Sequence, residues 1–200
     1  MRAFIYIALA SLMSVGAAQA VEERATFAGG CFWCVEADYE KVEGVTEAIS
    51  GYTGGTVEDP TYEQVTAGGT GHYEVVEVVF DNDVVSYREL VDIFWRTVDP
   101  VDVGGQFCDR GNSYRTAVFT RTADQEAAAR ASKEQAEAAL GQRILTPIIE
   151  DDRFYKAEEY HQDYYTKNPI RYNFYRLTCG RDKRVKELWG DQAYQGIDAK

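Results

Sequence analysis

The sequence predicts an α+β fold: a two-layer sandwich with a mixed sheet core flanked by helices, followed by a long irregular C-terminal segment. Three observations carry this. Strand-like runs are few and short and alternate with helical runs, which suits two layers better than a long parallel sheet. No internal repeat, low-complexity tract or linker divides the 200 residues, so residues 21–200 read as one catalytic domain. Beyond residue 150 the chain is crowded with tyrosine (Tyr155, Tyr160, Tyr164, Tyr165, Tyr172, Tyr175) and is expected to wrap the core.

Taken in order, Ala25–Gly30 reads as a strand ending in a glycine pair, and Cys31–Ala37 opens an amphipathic helix. Ala48–Gly51 is a strand running into the loop Tyr52-Thr53-Gly54-Gly55, and Thr61–Ala67 is a short helix. Tyr73–Phe80, β-branched and partly alternating, is the clearest strand of the chain. Tyr87–Thr97 is a helix with Leu90, Val91, Phe94 and Trp95 on one face, stopped by Asp99-Pro100. Gly104–Gly111 is a loop, Arg115–Thr120 a strand, and Asp124–Leu140 an alanine-rich helix with one solvated face. Leu145–Glu150 is a further strand, and Arg181–Trp189 a short helix.

Residues 1–20 have a secretory signal layout: Arg2, an apolar stretch, then Ala18-Gln19-Ala20 before the cleavage point. The apolar core is only about 14 residues, short of the roughly 20 that span a bilayer. No cysteine lies at the cleavage point, so no lipid anchor is expected there. The mature chain is expected in a bacterial periplasm, free of the membrane and monomeric. A net charge of −12, one unit more negative without Arg2, argues against nucleic acid and anionic membranes as partners. Four cysteines in an oxidising compartment would ordinarily form two structural disulfides.

Cys31-Phe32-Trp33-Cys34 breaks that default. It follows Gly29-Gly30 at a strand-to-helix junction and sets two sulfurs one helical turn apart, within disulfide reach. A cysteine at a helix start lies near unpaired N–H groups and the positive end of the dipole, which lower a thiol pKa. The pattern suggests thiolate attack followed by disulfide closure. A one-turn disulfide closes a tiny loop and contributes little stability, so a purely structural bond is a poor explanation. A zinc site needs two more ligands, and Cys108, Cys179, His72 and His161 show no second paired spacing, so no metal is expected.

Four further segments look wasteful for packing alone: Pro60-Thr61-Tyr62, Gly71-His72-Tyr73-Glu74, Asp109–Arg115 and Tyr160-His161-Gln162. With Gly30-Cys31-Phe32-Trp33 they make the chain resemble the peptide methionine sulfoxide reductase A family, from about Thr26 to Trp189. The resemblance implies reduction of methionine S-sulfoxide in proteins and in free methionine, with no cofactor and a thioredoxin-like reductant. It implies Cys31 as the nucleophile and Glu74 as the acid that protonates the sulfoxide oxygen. Tyr62 and Tyr114 match phenols that hydrogen-bond this oxygen, Asp109 a supporting polar residue, and Phe32 and Trp33 apolar walls around the substrate methyl. The chemistry is sound on its own terms. A sulfoxide oxygen leaves only when protonated, and a glutamate supplies that proton near neutral pH only if burial raises its pKa.

The sequence departs from the family pattern at Cys34 and Cys108, where many relatives carry glycine and asparagine. No cysteine follows Cys179, whereas many relatives keep recycling cysteines in a glycine-rich tail. Cys34, Cys179 and Cys108 therefore all stand as candidates to resolve Cys31, with Cys34 nearest in sequence and a Cys108–Cys179 relay as an alternative. Two rival readings remain at this level. One is a thioredoxin-type oxidoreductase, for which Thr146-Pro147 offers the sole facing loop. The other is a secreted structural or sulfoxide-binding protein whose cysteines are all paired.

Overall fold

The computed structural model describes residues 22–151 and 153–197, so the signal segment expected at 1–20 lies outside the described residues. Strand β1 (Glu22–Gly29) feeds helix α1 (Phe32–Tyr39), and β2 (Val45–Thr53) precedes α2 (Tyr62–Ala67). Strand β3 (Tyr73–Asp81) is followed by α3 (Tyr87–Trp95), a two-residue hairpin of β4 (Gly105–Gln106) and β5 (Asp109–Arg110), and a 3₁₀ turn at Asn112–Tyr114. Then come β6 (Thr116–Thr120), α4 (Ala123–Leu140), β7 (Ile148–Glu150) and β8 (Tyr155–Lys156). Helices α5 (Tyr164–Lys167), α6 (Pro169–Cys179) and α7 (Arg181–Trp189) complete the chain.

Six strands form one sheet in the order β7-β6-β1-β3-β2-β8. Every pairing is antiparallel except β6 with β7, so the sheet is mixed, as expected. One face carries Ala25, Phe27, Val76, Val78, Phe80 and Val118 against the helices. Phe27 stacks on Tyr39 of α1 at 5.0 Å and on Phe94 of α3 at 5.2 Å. Each such side chain removed from water contributes about 1.5–3 kcal/mol. The other face gathers a smaller cluster of Ala28, Tyr73, Val75, Ala117 and Phe119.

Capping fixes the short helices. Thr61 and Gln64 close a capping box on α2, as do Ser86 and Glu89 on α3, so each helix start satisfies its own free N–H groups. Gly141 ends α4 in the left-handed conformation that glycine adopts without steric cost.

Three expectations change. Strand β3 is buried at every position from Tyr73 to Phe80, because a central strand is covered on both faces and needs no alternation. Helix α1 is likewise buried on nearly every side rather than amphipathic, and even its carboxylates are inside. Asp38 pairs with Arg176 at 2.8 Å, and Glu36 accepts from Ser50 Oγ and the Asp163 N–H. The C-terminal segment is irregular only to Asp163; α5, α6 and α7 follow. Helix α6 buries Tyr172 but leaves Ile170, Phe174 and Leu177 exposed, so its hydrophobic pattern is inverted and gives no conventional helical signal.

Candidate active site

The site is built where β1 turns into α1. Gly30 takes φ +82°, and a Cβ there would lie 2.6 Å from Gln106 Cβ, so only glycine passes the chain through this turn. Cys31 then occupies the helix N-cap with its side chain buried. Directly beside it, Glu74 at the start of β3 is 1% exposed, and its Oε2 accepts the Phe32 N–H at 3.1 Å.

Glu74 is pushed up to about 8, first by burial, with the Asp109 charge adding to the shift. The Phe32 N–H and the Tyr114 phenol favour its ionised form but do not offset the desolvation. At neutral pH the side chain therefore holds a proton. Tyr62, first residue of α2, and Tyr114, in the 3₁₀ turn, reach each other through their phenols. Burial raises both, Tyr62 to about 12, so both stay protonated donors. The Tyr62 N–H is held by Glu158 at 2.8 Å.

Phe32 and Trp33 stand in an aromatic wall. The Phe32 ring lies 4.9 Å from His161 and 6.4 Å from Tyr62. Trp33 stacks on Tyr164 at 3.7 Å, and its Nε1–H donates to His161 Nδ1 at 3.1 Å. That bond requires an unprotonated Nδ1, and burial lowers the His161 pKa in agreement. His72 bonds the Gly55 N–H and the Val57 carbonyl and so ties down loop backbone.

The structure thus gathers Cys31, Glu74, Tyr62, Tyr114, Phe32 and Trp33. Asp109 joins them indirectly: Tyr175 OH donates to Asp109 Oδ2, and the same phenol reaches Cys31. Tyr175 on α6, Tyr164 on α5 and Arg181 on α7 were not singled out in the sequence. Tyr175 sits among fourteen tyrosines and Arg181 in an ordinary charged helix, so neither carries a local signal.

The cysteines divide into two pairs. Cys31 and Cys34 are free and buried, unlike the reading in which every cysteine is paired. Cys108 and Cys179 form a disulfide, with Cys108 exposed. Asp109 lies against it, its carboxylate oxygens 3.9 Å from Cys108 Sγ and 3.8 Å from Cys179 Sγ.

The expectation of a lowered Cys31 pKa is corrected. Burial pushes the Cys31 thiol well up, and contact with Cys34 and the Glu74 charge push it further. Its partner shifts the other way. Cys34 is pulled down to about 7 by the hydrogen bond from Cys31, against the cost of burial and with help from the Arg181 and Arg176 cations. A cleft of about 450 Å³ between Val42, Val85, Ile93 and Gly196 holds none of these groups and has no part in this chemistry.

Residues 23–193 match the family model described as peptide methionine sulfoxide reductase. The chain is 54% identical over 181 residues to peptide methionine sulfoxide reductase MsrA 2 of Rhizobium meliloti, covering 90% of each. It is 46% identical to MsrA 2 of Caulobacter vibrioides, over 95% of this chain and all of that one. Among solved structures, reduced Mxr1 of Saccharomyces cerevisiae superposes with a TM-score of 0.70 at 32% identity, covering 80% of this chain and 93% of the yeast one. Methionine sulfoxide reductase A of Corynebacterium diphtheriae gives 0.67 at 30% identity, covering 76% and 77%. A buried cysteine walled by aromatics beside a buried glutamate whose pKa is raised, together with these likenesses, leads to one conclusion: the chain belongs to the peptide methionine sulfoxide reductase A family.

Proposed function

We propose that this chain, an oxidoreductase that reduces methionine sulfoxide, acts on the S-sulfoxide of protein-bound and free methionine through a Cys31 sulfenic acid. The Cys31 sulfur attacks the sulfoxide sulfur while its own proton passes to the Cys34 thiolate. Glu74 protonates the sulfoxide oxygen, and Tyr62 and Tyr114 hydrogen-bond it. The oxygen leaves on Cys31 as sulfenic acid, and the thioether is released. Phe32 and Trp33 hold the methyl group and so distinguish it from oxygen at the chiral sulfur. The observation that carries this reading is Glu74, buried, tied to the N–H of the residue after Cys31, and protonated at neutral pH.

Cys34 resolves the sulfenic acid, since it already contacts Cys31 and needs no chain movement. A Cys108–Cys179 dithiol then reduces the Cys31–Cys34 disulfide and becomes oxidised itself, the state that this structure presents. A thioredoxin-like donor restores that pair from the exposed Cys108 side. The solved complex of yeast Mxr1 with Trx2, at 27% identity and a TM-score of 0.52, supports a donor of this type. The signal-like layout of residues 1–20 supports a periplasmic setting.

Mass spectrometry of fully reduced protein after turnover without reductant tests the sequence of disulfides. Four thiols should release two methionines per chain and finish with both pairs bonded. Cys34→Ser should release one methionine and lose fast recycling. If Cys34→Ser recycles normally while Cys179→Ser stalls after one turnover, Cys179 is the resolver and the direct Cys31–Cys34 step is wrong.

A further inference from the structure

Two arginines reach the buried cysteine pair, and their surroundings differ. Arg176 on α6 is neutralised by carboxylates: Asp38 at 2.8 Å and 3.3 Å, and Asp182 at 2.8 Å. Arg181, first residue of α7, is 1% exposed, yet among the described residues no carboxylate lies within ion-pairing distance of it. Its Nη2–H donates to the Gly29 carbonyl at 2.6 Å and its Nη1–H to the Thr97 carbonyl at 3.1 Å. The guanidinium covers the Phe107 ring at 4.5 Å. A Cβ on Gly30 would come within 3.3 Å of it, so the cation is wedged against the turn that delivers Cys31. A buried guanidinium stays charged, and a buried charge without a counter-charge is costly. The negative group that Arg181 feels most strongly is Cys34.

We propose that Arg181 is a positioning residue for the resolving step: its buried, carboxylate-free guanidinium is the counter-charge that holds the Cys34 sulfur as the attacking thiolate. The inference rests on Cys34 being the resolver. In that step Cys34 gives up the proton it took from Cys31, and its thiolate attacks the sulfur of the Cys31 sulfenic acid. The S–S bond forms, the S–O bond breaks, and the departing hydroxide takes a proton and leaves as water. The Cys34 sulfur is oxidised and the Cys31 sulfur reduced by the same electron pair.

The other groups facing Cys34 do not replace this charge. From its own helix come Cys31 and Asp38, from β3 Glu74, and from α6 Tyr172, Tyr175 and the already paired Arg176. Tyr164 of α5 packs against it as a ring. Asp38 and an ionised Glu74 oppose a thiolate; the Arg181 charge is also felt by Asp38, Asp109 and Asp182, but none of them ion-pairs with it, and Arg181 is the cation most committed to Cys34.

Thiolate absorbance near 240 nm is followed against pH with Cys108–Cys179 bonded and Cys31 and Cys34 free. Wild type should show a thiolate step near neutral pH that is missing in Cys34→Ser. Arg181→Met should move the step up by at least about one pH unit, a tenfold loss of thiolate, and slow disulfide closure at pH 7 about tenfold. Arg181→Lys keeps the charge and should hold the step within about half a unit. A role in bonding Gly29 and Thr97 alone would impair both variants alike and leave the step in place; that result overturns the proposal. Should Arg181→Met not fold, Arg181→Gln, a neutral side chain that keeps an N–H donor, takes its place: a step moved up supports the arginine as counter-charge, whereas a step left in place overturns it. Mass mapping after one turnover keeps the two readings apart. A Cys31–Cys179 bond refutes Cys34 as resolver, and with it the step assigned here, whereas an unmoved titration refutes Arg181 alone.

Discussion

The two cysteine pairs of this chain are made of the same residue and sit in opposite environments. Cys31 and Cys34 lie one helical turn apart, buried and free, and a bond between them would constrain almost nothing. Cys108 and Cys179 lie 71 residues apart, are bonded, and tie the hairpin before β6 to the end of α6. Environment separates them. The first pair is enclosed by aromatic rings, a protonated glutamate and arginine cations, which decide where its single negative charge sits. The second is reached by solvent at Cys108 and closes a long loop. Attack on the substrate belongs to the pair whose charge is controlled by burial, whereas the pair that joins distant segments tethers them when bonded and relays electrons when reduced.

The largest expected effect tests the chemical side of this contrast. Cys31→Ser should abolish methionine sulfoxide reduction while leaving the circular dichroism of the folded protein unchanged. Residual activity in a folded variant would remove the buried pair from the mechanism.

Next comes Glu74→Gln, expected to slow sulfenic acid formation roughly 10²–10⁴-fold in single-turnover kinetics. Because Glu74 holds its proton up to about 8, the wild-type rate should fall as pH rises through that value. The variant should lack this limb. A variant at near-wild-type rate would make Glu74 a structural residue.

Cys108→Ser addresses the tethering side. Loss of the long loop closure should cost about 2–4 kcal/mol in urea unfolding, whereas Cys34→Ser should cost far less, having no bond to lose in this state. Equal losses would erase the distinction between the pairs. The smallest effect is expected from Tyr175→Phe, which cuts a side-chain path linking the two regions, Cys31 to Tyr175 to Asp109. A hydrogen bond to a charged group contributes about 1.5 kcal/mol, and its loss should leave the Asp109 carboxyl still further above its ordinary value by carboxyl NMR titration.

Much of the site was legible in the sequence because its parts are local. Gly-Cys-Phe-Trp at a strand end, Thr61 capping the helix that carries Tyr62, and Glu74 opening the β-branched run Tyr73–Phe80 each announce themselves within a few residues. The segment after Tyr155 was less legible. Helix α6 turns aromatic and charged residues inward and apolar ones outward, so periodicity gave no lead to Tyr175 or to the helical course of the segment.

By itself the sequence determined the strand and helix order from β1 to β7, apart from the two-residue hairpin of β4 and β5, and placed Cys31 and a second sulfur one turn beyond it at a helix start, since these depend on spacing along the chain. Only the tertiary structure decided that Cys108 meets Cys179 and that Arg181 stands unpaired against Gly29. It also set the Cys31 thiol well above its ordinary value, against the lowering expected at a helix start. The physical reason is common to all three. Helix spacing is fixed by neighbouring dihedrals, whereas desolvation and the proximity of charges depend on which distant segments pack together around a buried group.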